Sequence, residues 1–289
     1  LQLPNNFTII DASDSEDVID LIRTELKFGN KEKRFPKKSR LAEIISYARN
    51  KQTSIRQVIL TEYSGLKEFI SDIETIAEGY KKYKKISRSM DFDDLMEFLR
   101  DALKRVPPSK RILQNTYRYI MVDEYQDTNS IQKEIIDLIG AGHKRVMVVG
   151  DDSQSIYAFR GANYENILRF PEVYPECTVI KIEENYRSNQ MVLNFTNAII
   201  ANAKMGYKKR LFTNNENHLM PVISRLFNEE DEAMFIVDRI SELIEQNIPL
   251  NEIAVLNRAD WHNRYIQAEL NKRGIPYVVI GGFRFNERM

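Results

Sequence analysis

The sequence is poor in everything that would staple or anchor a chain. One cysteine, Cys177, stands among 289 residues, so no internal disulfide can form. The three histidines, His143, His218 and His262, lie far apart and give no support to a Cys/His zinc cage. No apolar run approaches the roughly 18 residues of a membrane span, and no secretory signal opens the chain. Two Asn-x-Thr triplets, at Asn6 and Asn194, therefore read as chance. An excess of charge is missing too, because Lys+Arg 42 balance Asp+Glu 42. That balance speaks against a histone-like arm or an acidic tail, but a local basic patch on a neutral molecule is compatible with it. What remains is an ordinary composition for a soluble intracellular protein, 43% hydrophobic and 29% charged, long enough for two domains. Position 1 is Leu, which points to a processed or excised piece.

The first 110 or so residues carry no convincing strand pattern after NFTIID (6–11). Ser13 and Glu16 read as a capping box ahead of Val18, Ile19, Leu21 and Ile22, and helix-like stretches cover 39–49, 64–80 and 91–104. The basic tracts KEKRFPKKSR (31–40), a predicted loop, and KKYKKISR (81–88) are available to phosphates or else form a solvated face. From about 117 the texture changes. The apolar runs YRYIMVDE (117–124) and KRVMVVGDD (144–152) flank the helix-like SIQKEIIDLIG (130–140), and CTVIKI (177–182) follows. Strand, helix, strand at this spacing predicts a parallel sheet. The alternation continues with a helix over 189–203, a strand at 221–227 and a helix over 229–245, whose acidic first turn suits the dipole. A strand at 253–258, a helix to Arg273 and a strand at 275–282 follow. The pattern predicts two α/β blocks behind a helical one, jointed near 183–188.

Chemistry concentrates at the carboxyl ends of the predicted strands, where open parallel sheets bind ligands. Asp123 and Glu124 end the first strand; one carboxylate there can hold Mg²⁺ and its neighbour can orient or deprotonate a water. Taken alone, such a pair reads equally as a surface turn. The second strand ends in GDDSQSIYAFRGA (150–162), where Gln154 can sense a terminal phosphate and Tyr157 and Phe159 can stack on bases or pack in a core. The third ends in ENYRS (184–188): Arg187 is a phosphate clamp or a structural ion pair, with Tyr186 beside it.

Together, DEYQDTN (123–129), GDDSQSIYAFRGA and ENYRS closely resemble the Walker B box, motif III and motif IV of the UvrD/Rep/PcrA family of superfamily 1 DNA helicases. NFTIID, MDFDDLM (90–96), IAVLNRADWHNR (253–264) and IPYVVIGGFRFNER (275–288) extend the resemblance over nearly the whole chain. It implies an α/β fold of two partial RecA-like parallel-sheet domains, at 89–182 and 183–289, with an N-terminal helical insert domain at 1–88. It implies ATP and Mg²⁺ as cofactors, with Asp123 holding the metal and Glu124 activating the hydrolytic water. Gln154 contacts the γ-phosphate and links it to DNA, Tyr186 stacks on adenine, and Arg187 is an arginine finger. Tyr157, Phe159, Arg160 and, from a less clear segment, Arg258 line the DNA track. The implied parent is an ATP-dependent 3′→5′ helicase acting on single-stranded and forked DNA, cytoplasmic and nucleoid-associated in a bacterial-type cell, with repair or replication proteins as partners.

The sequence departs from that pattern in one large respect. No G-x-x-x-x-G-K-[ST] occurs among its eleven glycines, so the Walker A loop that cradles the β- and γ-phosphates is absent. The family's last motifs are absent as well. The chain is expected to be the middle of a helicase, unable to turn over ATP alone. The alternative is a non-enzymatic helicase-like module that binds single strands or a protein. Smaller departures are Ser153, where the family often has Asp, and Ala259–His262, which obscures the DNA contacts near Arg258.

Overall fold

The computed structural model describes residues 6–28, 35–215 and 219–280, apart from the side chain of Arg160. The chain forms two compact units, Leu1–Glu216 and Asn217–Met289.

In the first unit, α1 (Ala12–Glu25) begins two residues before the position that Ser13 and Glu16 predict. Asp11 caps it instead: its carboxylate accepts from the Asp14 amide at 2.9 Å, and Asp14 accepts in return from the Asp11 amide at 3.2 Å. Two carboxylates at the positive end of the helix dipole outcompete a hydroxyl–carboxylate pair one half-turn later. Helices α2 (Lys38–Asn50), α3 (Ile55–Thr61) and α4 (Ile70–Ser87) complete a helical cluster with α1. Its most deeply buried side chains are aliphatic: Ile19, Leu41, Ile44, Ile59, Ile73 and Ile76 are at most 1% exposed. Each such side chain contributes roughly 1.5–3 kcal/mol by leaving water. Residues 31–34 of the first basic tract lie outside the described residues, and α2 begins inside its remainder at Lys38.

The second basic tract forms the last two turns of α4, and it is not simply a solvated face. Lys84 is buried and donates to Asp91 at 2.5 Å and lies 2.6 Å from Asp94. The helix ends at Arg88 in the left-handed conformation, φ 53°, and the chain enters β2 (Ser89–Met90), which pairs in parallel with β1 (Thr8–Ile9). Asp91 then caps α5 (Phe92–Arg105) through a second reciprocal box with Asp94. Arg49, at the end of α2, reaches Asp91 at 3.1 Å, Asp94 at 2.6 Å and Glu97 at 2.9 Å. Tyr80 adds a 2.9 Å bond to Asp91. An ion cluster therefore joins the helical region to α5.

Helix α5, α6 (Pro107–Thr116) and α7 (Ser130–Gly140) pack through Leu103, Ile131 and Ile135. Between α6 and α7 runs β3 (Ile120–Val122), paired in parallel with β4 (Val146–Val148) in the register Ile120↔Val146, Val122↔Val148. This is the strand–helix–strand unit expected from the sequence, and the protein is α/β with short parallel sheets. The short α8 (Glu165–Leu168) and α9 (Phe170–Val173) follow, then α10 (Gln190–Ile200), capped by Asn189.

The second unit packs α11 (Glu229–Glu245) on α12 (Asn263–Lys272) through Ala233, Val237, Ile240, Ile266 and Leu270. Here the sequence expectation overreached. None of 177–182, 221–227, 253–258 and 275–280 is a paired strand among the described residues, and 281–282 lie outside them. Many of their apolar side chains face solvent, Ile180 at 80%, Ile223 83%, Leu256 93% and Ile280 94% exposed, while Ile253, Ile275 and Tyr277 pack on the α11–α12 core. An apolar run becomes a strand only when a neighbour supplies the other half of its ladder. Near the third run, pairing is reduced to one parallel bridge, Glu184 with Phe212.

Candidate nucleotide and single-strand site

The carboxyl ends of β3 and β4 lie side by side, tied by bonds from the Val149 amide to Val122 (2.8 Å) and from the Tyr125 amide to Val149 (2.9 Å). At this edge Glu124 adopts the left-handed conformation, φ 51° and ψ 41°. A non-glycine residue there is strained by about 1 kcal/mol or more and is held by its surroundings. Two contacts hold it. Asp123 accepts from the Glu124 amide at 2.9 Å, and the Glu124 carboxylate accepts from the Gln126 side chain at 2.6 Å. The strained turn thus presents both carboxylates to solvent at the strand end.

Gln126 is the hinge of the arrangement, and sequence reasoning gave it no role. It is 1% exposed. Its amide donates to Glu124 and, at 3.3 Å, to Asp127, while its carbonyl accepts from the Asp151 amide at 2.9 Å. It therefore splices the Walker B-like turn to the loop after β4. The signal was a glutamine inside a catalytic-looking string, but burial was not legible there. Gly150 makes the splice possible. A Cβ at that position would overlap the Gln126 side-chain carbonyl and lie 3.1 Å from the Tyr125 backbone amide.

Beyond Gly150, Asp151 accepts from the Ser153 amide at 2.9 Å and from the Gln154 side chain at 2.8 Å. It also pairs with Lys209. Burial pushes the Asp151 carboxyl up, but these bonds to Lys209, Gln154 and Ser153 outweigh it and hold the group below its ordinary range. Asp127 moves the other way, raised by burial and by the nearby Glu124 charge, and its Oδ1 is buried without a hydrogen-bond partner among the described residues. The same loop carries Tyr157 and Phe159, 38% and 59% exposed, with ring centroids 5.9 Å apart. Two adjacent solvent-facing rings offer flat surfaces of the kind on which bases stack.

The structure thus gathers Asp123, Glu124 and Gln154 around one strand edge. Tyr186 and Arg187 lie on the segment after 182, both exposed. Tyr186 donates to Glu184 at 2.8 Å. Arg258 is exposed in the second unit. Among the described residues no group of three or more His, Cys, Asp or Glu is placed to hold a metal by itself. No helix among them is long and apolar enough to cross a membrane.

Residues 1–175 match the family model of the UvrD/REP helicase N-terminal domain, and residues 180–289 match that of the UvrD-like helicase C-terminal domain. The chain belongs to the UvrD-like helicase family. The chain is 34% identical over 287 residues to the ATP-dependent DNA helicase PcrA of Leuconostoc citreum, covering 99% of this chain and 38% of that protein. PcrA of Staphylococcus epidermidis gives 34% over 291 residues, and PcrA of Staphylococcus aureus 33% over 288. The UvrD-like chain thus spans 38% of the length of these curated relatives.

Proposed function

We propose that this chain is the central part of an ATP-dependent DNA helicase that moves 3′→5′ on single-stranded DNA and unwinds duplexes. The observation that carries this reading is the strand edge itself. Glu124 sits in a strained turn, fixed by Gln126 to the loop that bears Gln154, Tyr157 and Phe159. Phosphoryl transfer to water asks a protein for positioning and charge more than for covalent groups. A carboxylate fixed at a strand end meets that demand, and the aromatic rings a few residues away give a motor its grip on a strand.

In this reading Glu124 orients and deprotonates the attacking water. Asp123 has one carboxylate oxygen committed to the Glu124 amide, which leaves the other for Mg²⁺. Hard oxygen donors of this kind fit a magnesium ion that takes its remaining ligands from phosphate and water. The metal, when bound with ATP, neutralises charge on the β- and γ-phosphates. Gln154 now donates to Asp151 and exchanges that bond for one to the terminal phosphate. Tyr186 and Arg187, both exposed on their segment, close on adenine and on the γ-phosphate from the side that the 183–289 region supplies. We assign 1–88 to a helical insert and 89–182 to the first RecA-like part. The exposed apolar runs at 177–182 and 221–227 await strands from the rest of a longer helicase, in keeping with relatives far longer than this chain.

The test is Glu124→Gln in the full-length protein. DNA-stimulated hydrolysis should fall by at least a thousandfold while ATP binding persists, and unwinding retained by that variant would refute the assignment. The 289-residue chain alone should show no DNA-stimulated ATPase.

A further inference from the structure

Segment 204–213 was not marked by the sequence as functional, yet it touches the site at one point. It is anchored first to the segment that leads into Tyr186 and Arg187. Lys181 donates to the Lys208 carbonyl at 2.6 Å, the Arg210 amide to the Glu183 carboxylate at 2.7 Å, and the Phe212 amide to the Glu183 carbonyl at 3.0 Å. The Asn185 amide donates back to Phe212 at 2.7 Å, and the Leu211 amide donates to Asn197 of α10 at 3.0 Å. From this braced segment Lys209, whose side chain is only 15% exposed, pairs with Asp151 and lies 3.8 Å from Asp152. Gly206 lets the chain come that close: its φ is +123°, and a Cβ there would overlap the Asp152 carboxylate.

Lys209 therefore sits between two halves of the machinery. On one side, residues 183–188 carry Tyr186 and Arg187. On the other, Asp151 holds Gln154 through its carboxylate and, through its backbone amide, holds Gln126, which in turn holds Glu124. We propose that Lys209 is a positioning residue for ATP hydrolysis: its ion pair with Asp151 sets Gln154 and Glu124 in register with the segment bearing Arg187. It touches no reacting group. A poorly exposed lysine is suited to this, because a charge-assisted bond shielded from water is directional and strong. The inference rests on the helicase reading of the same site.

The test measures DNA-stimulated ATPase in the full-length protein for Lys209→Met, Lys209→Arg and Glu124→Gln. Lys209→Met should lower kcat about tenfold or more with KM for ATP and single-strand affinity changed less than twofold, and Lys209→Arg should recover most of kcat. A rise in KM at unchanged kcat would make Lys209 a direct nucleotide ligand and overturn the proposal, as would a variant that melts earlier but turns over normally. Should Lys209→Met not fold, Gly206→Ala reads the same coupling. Its Cβ drives the segment off Asp152, and an unchanged kcat in that variant also overturns the proposal. Undiminished hydrolysis by Glu124→Gln would instead remove the underlying reading of the site, an outcome separate from any result at Lys209.

Discussion

Replacing Asp91 by Asn removes one charge from the ion cluster that joins the helical region to α5 while keeping a good helix cap. Burial raises the Asp91 carboxyl, but Arg49 and Lys84 more than reverse this, and the group is held at about 2, against an ordinary 3.8. Held at about 2 rather than 3.8, and at about 1.36 kcal/mol per tenfold change in proton affinity, the charged carboxylate contributes roughly 2–3 kcal/mol to folding. The cost of losing the charge should lie near that figure, because Arg49 and Lys84 both keep Asp94 and Arg49 also keeps Glu97. A pair broken with no such backup costs about 3–5 kcal/mol. The sign with pH is fixed. A carboxyl whose folded pKa is depressed stabilises fully above its unfolded value and loses that contribution as pH falls through the folded value. Urea unfolding of the wild type and Asp91→Asn should therefore differ by roughly 2–3 kcal/mol at pH 7, by nearly the same at pH 5, and by progressively less between pH 4 and pH 2. Asp91→Ala should cost about 1 kcal/mol more at every pH, since it also deletes the cap bond to the Asp94 amide. Equal stability of wild type and Asn variant at pH 7, or a gap that stays constant down to pH 2, would refute the argument.

Three further outcomes are expected. Tyr157→Ala or Phe159→Ala should weaken binding of a short single-stranded oligonucleotide by roughly 1–3 kcal/mol each, read by fluorescence anisotropy, with unchanged unfolding midpoints because both rings are solvent-exposed. Gly150→Ala should destabilise by about 1–3 kcal/mol in urea unfolding, because its Cβ would meet the Ile167 side chain at 2.9 Å and the Tyr125 amide at 3.1 Å. Asn50→Ala should cost about 1–2 kcal/mol in the same measurement. Its side chain bonds Asn129, the cap of α7, at 2.7 Å and Asp93 of α5 at 3.2 Å.

The parts of the fold that were legible in the sequence are those whose signals are local. Helix α2 follows from apolar spacing, α5, α7, α10 and α11 from apolar spacing and side-chain caps, and β3 and β4 from apolar runs between turn residues. The cap of α1 was misplaced because Asp11 and Asp14 satisfy the same geometry as Ser13 and Glu16 with a stronger acceptor pair. The later strands failed for a different reason. Strand formation depends on a partner that need not be near in the chain, so CTVIKI can read as a strand and still lie unpaired. At the site, residue identity was legible and mutual placement was not. The strings nominate Glu124 and Gln154, but the buried amide that joins their loops, Gln126, and the pair between Asp151 and Lys209 are contacts across 25 and 58 residues. Only the folded chain reveals them.

Electrical neutrality acquires a mechanical meaning from these contacts. The cations of the second basic tract are not all free for phosphates, since Lys84 is consumed by Asp91 and Asp94, and Arg49 by three carboxylates. Both clusters of opposed charge fall at junctions: Arg49 and Lys84 join the helical region to α5, and Lys209 joins the Arg187 segment to the loop after β4. Desolvation offsets part of the attraction in each cluster, leaving roughly 2–3 kcal/mol at Asp91, and the geometry that pairs these charges admits few alternatives. Asp123 and Glu124 at the end of β3, and Arg187 on its own segment, carry their charge outward instead. Balanced charge in this chain is therefore divided between joints that are neutralised internally and strand-end carboxylates that stay exposed.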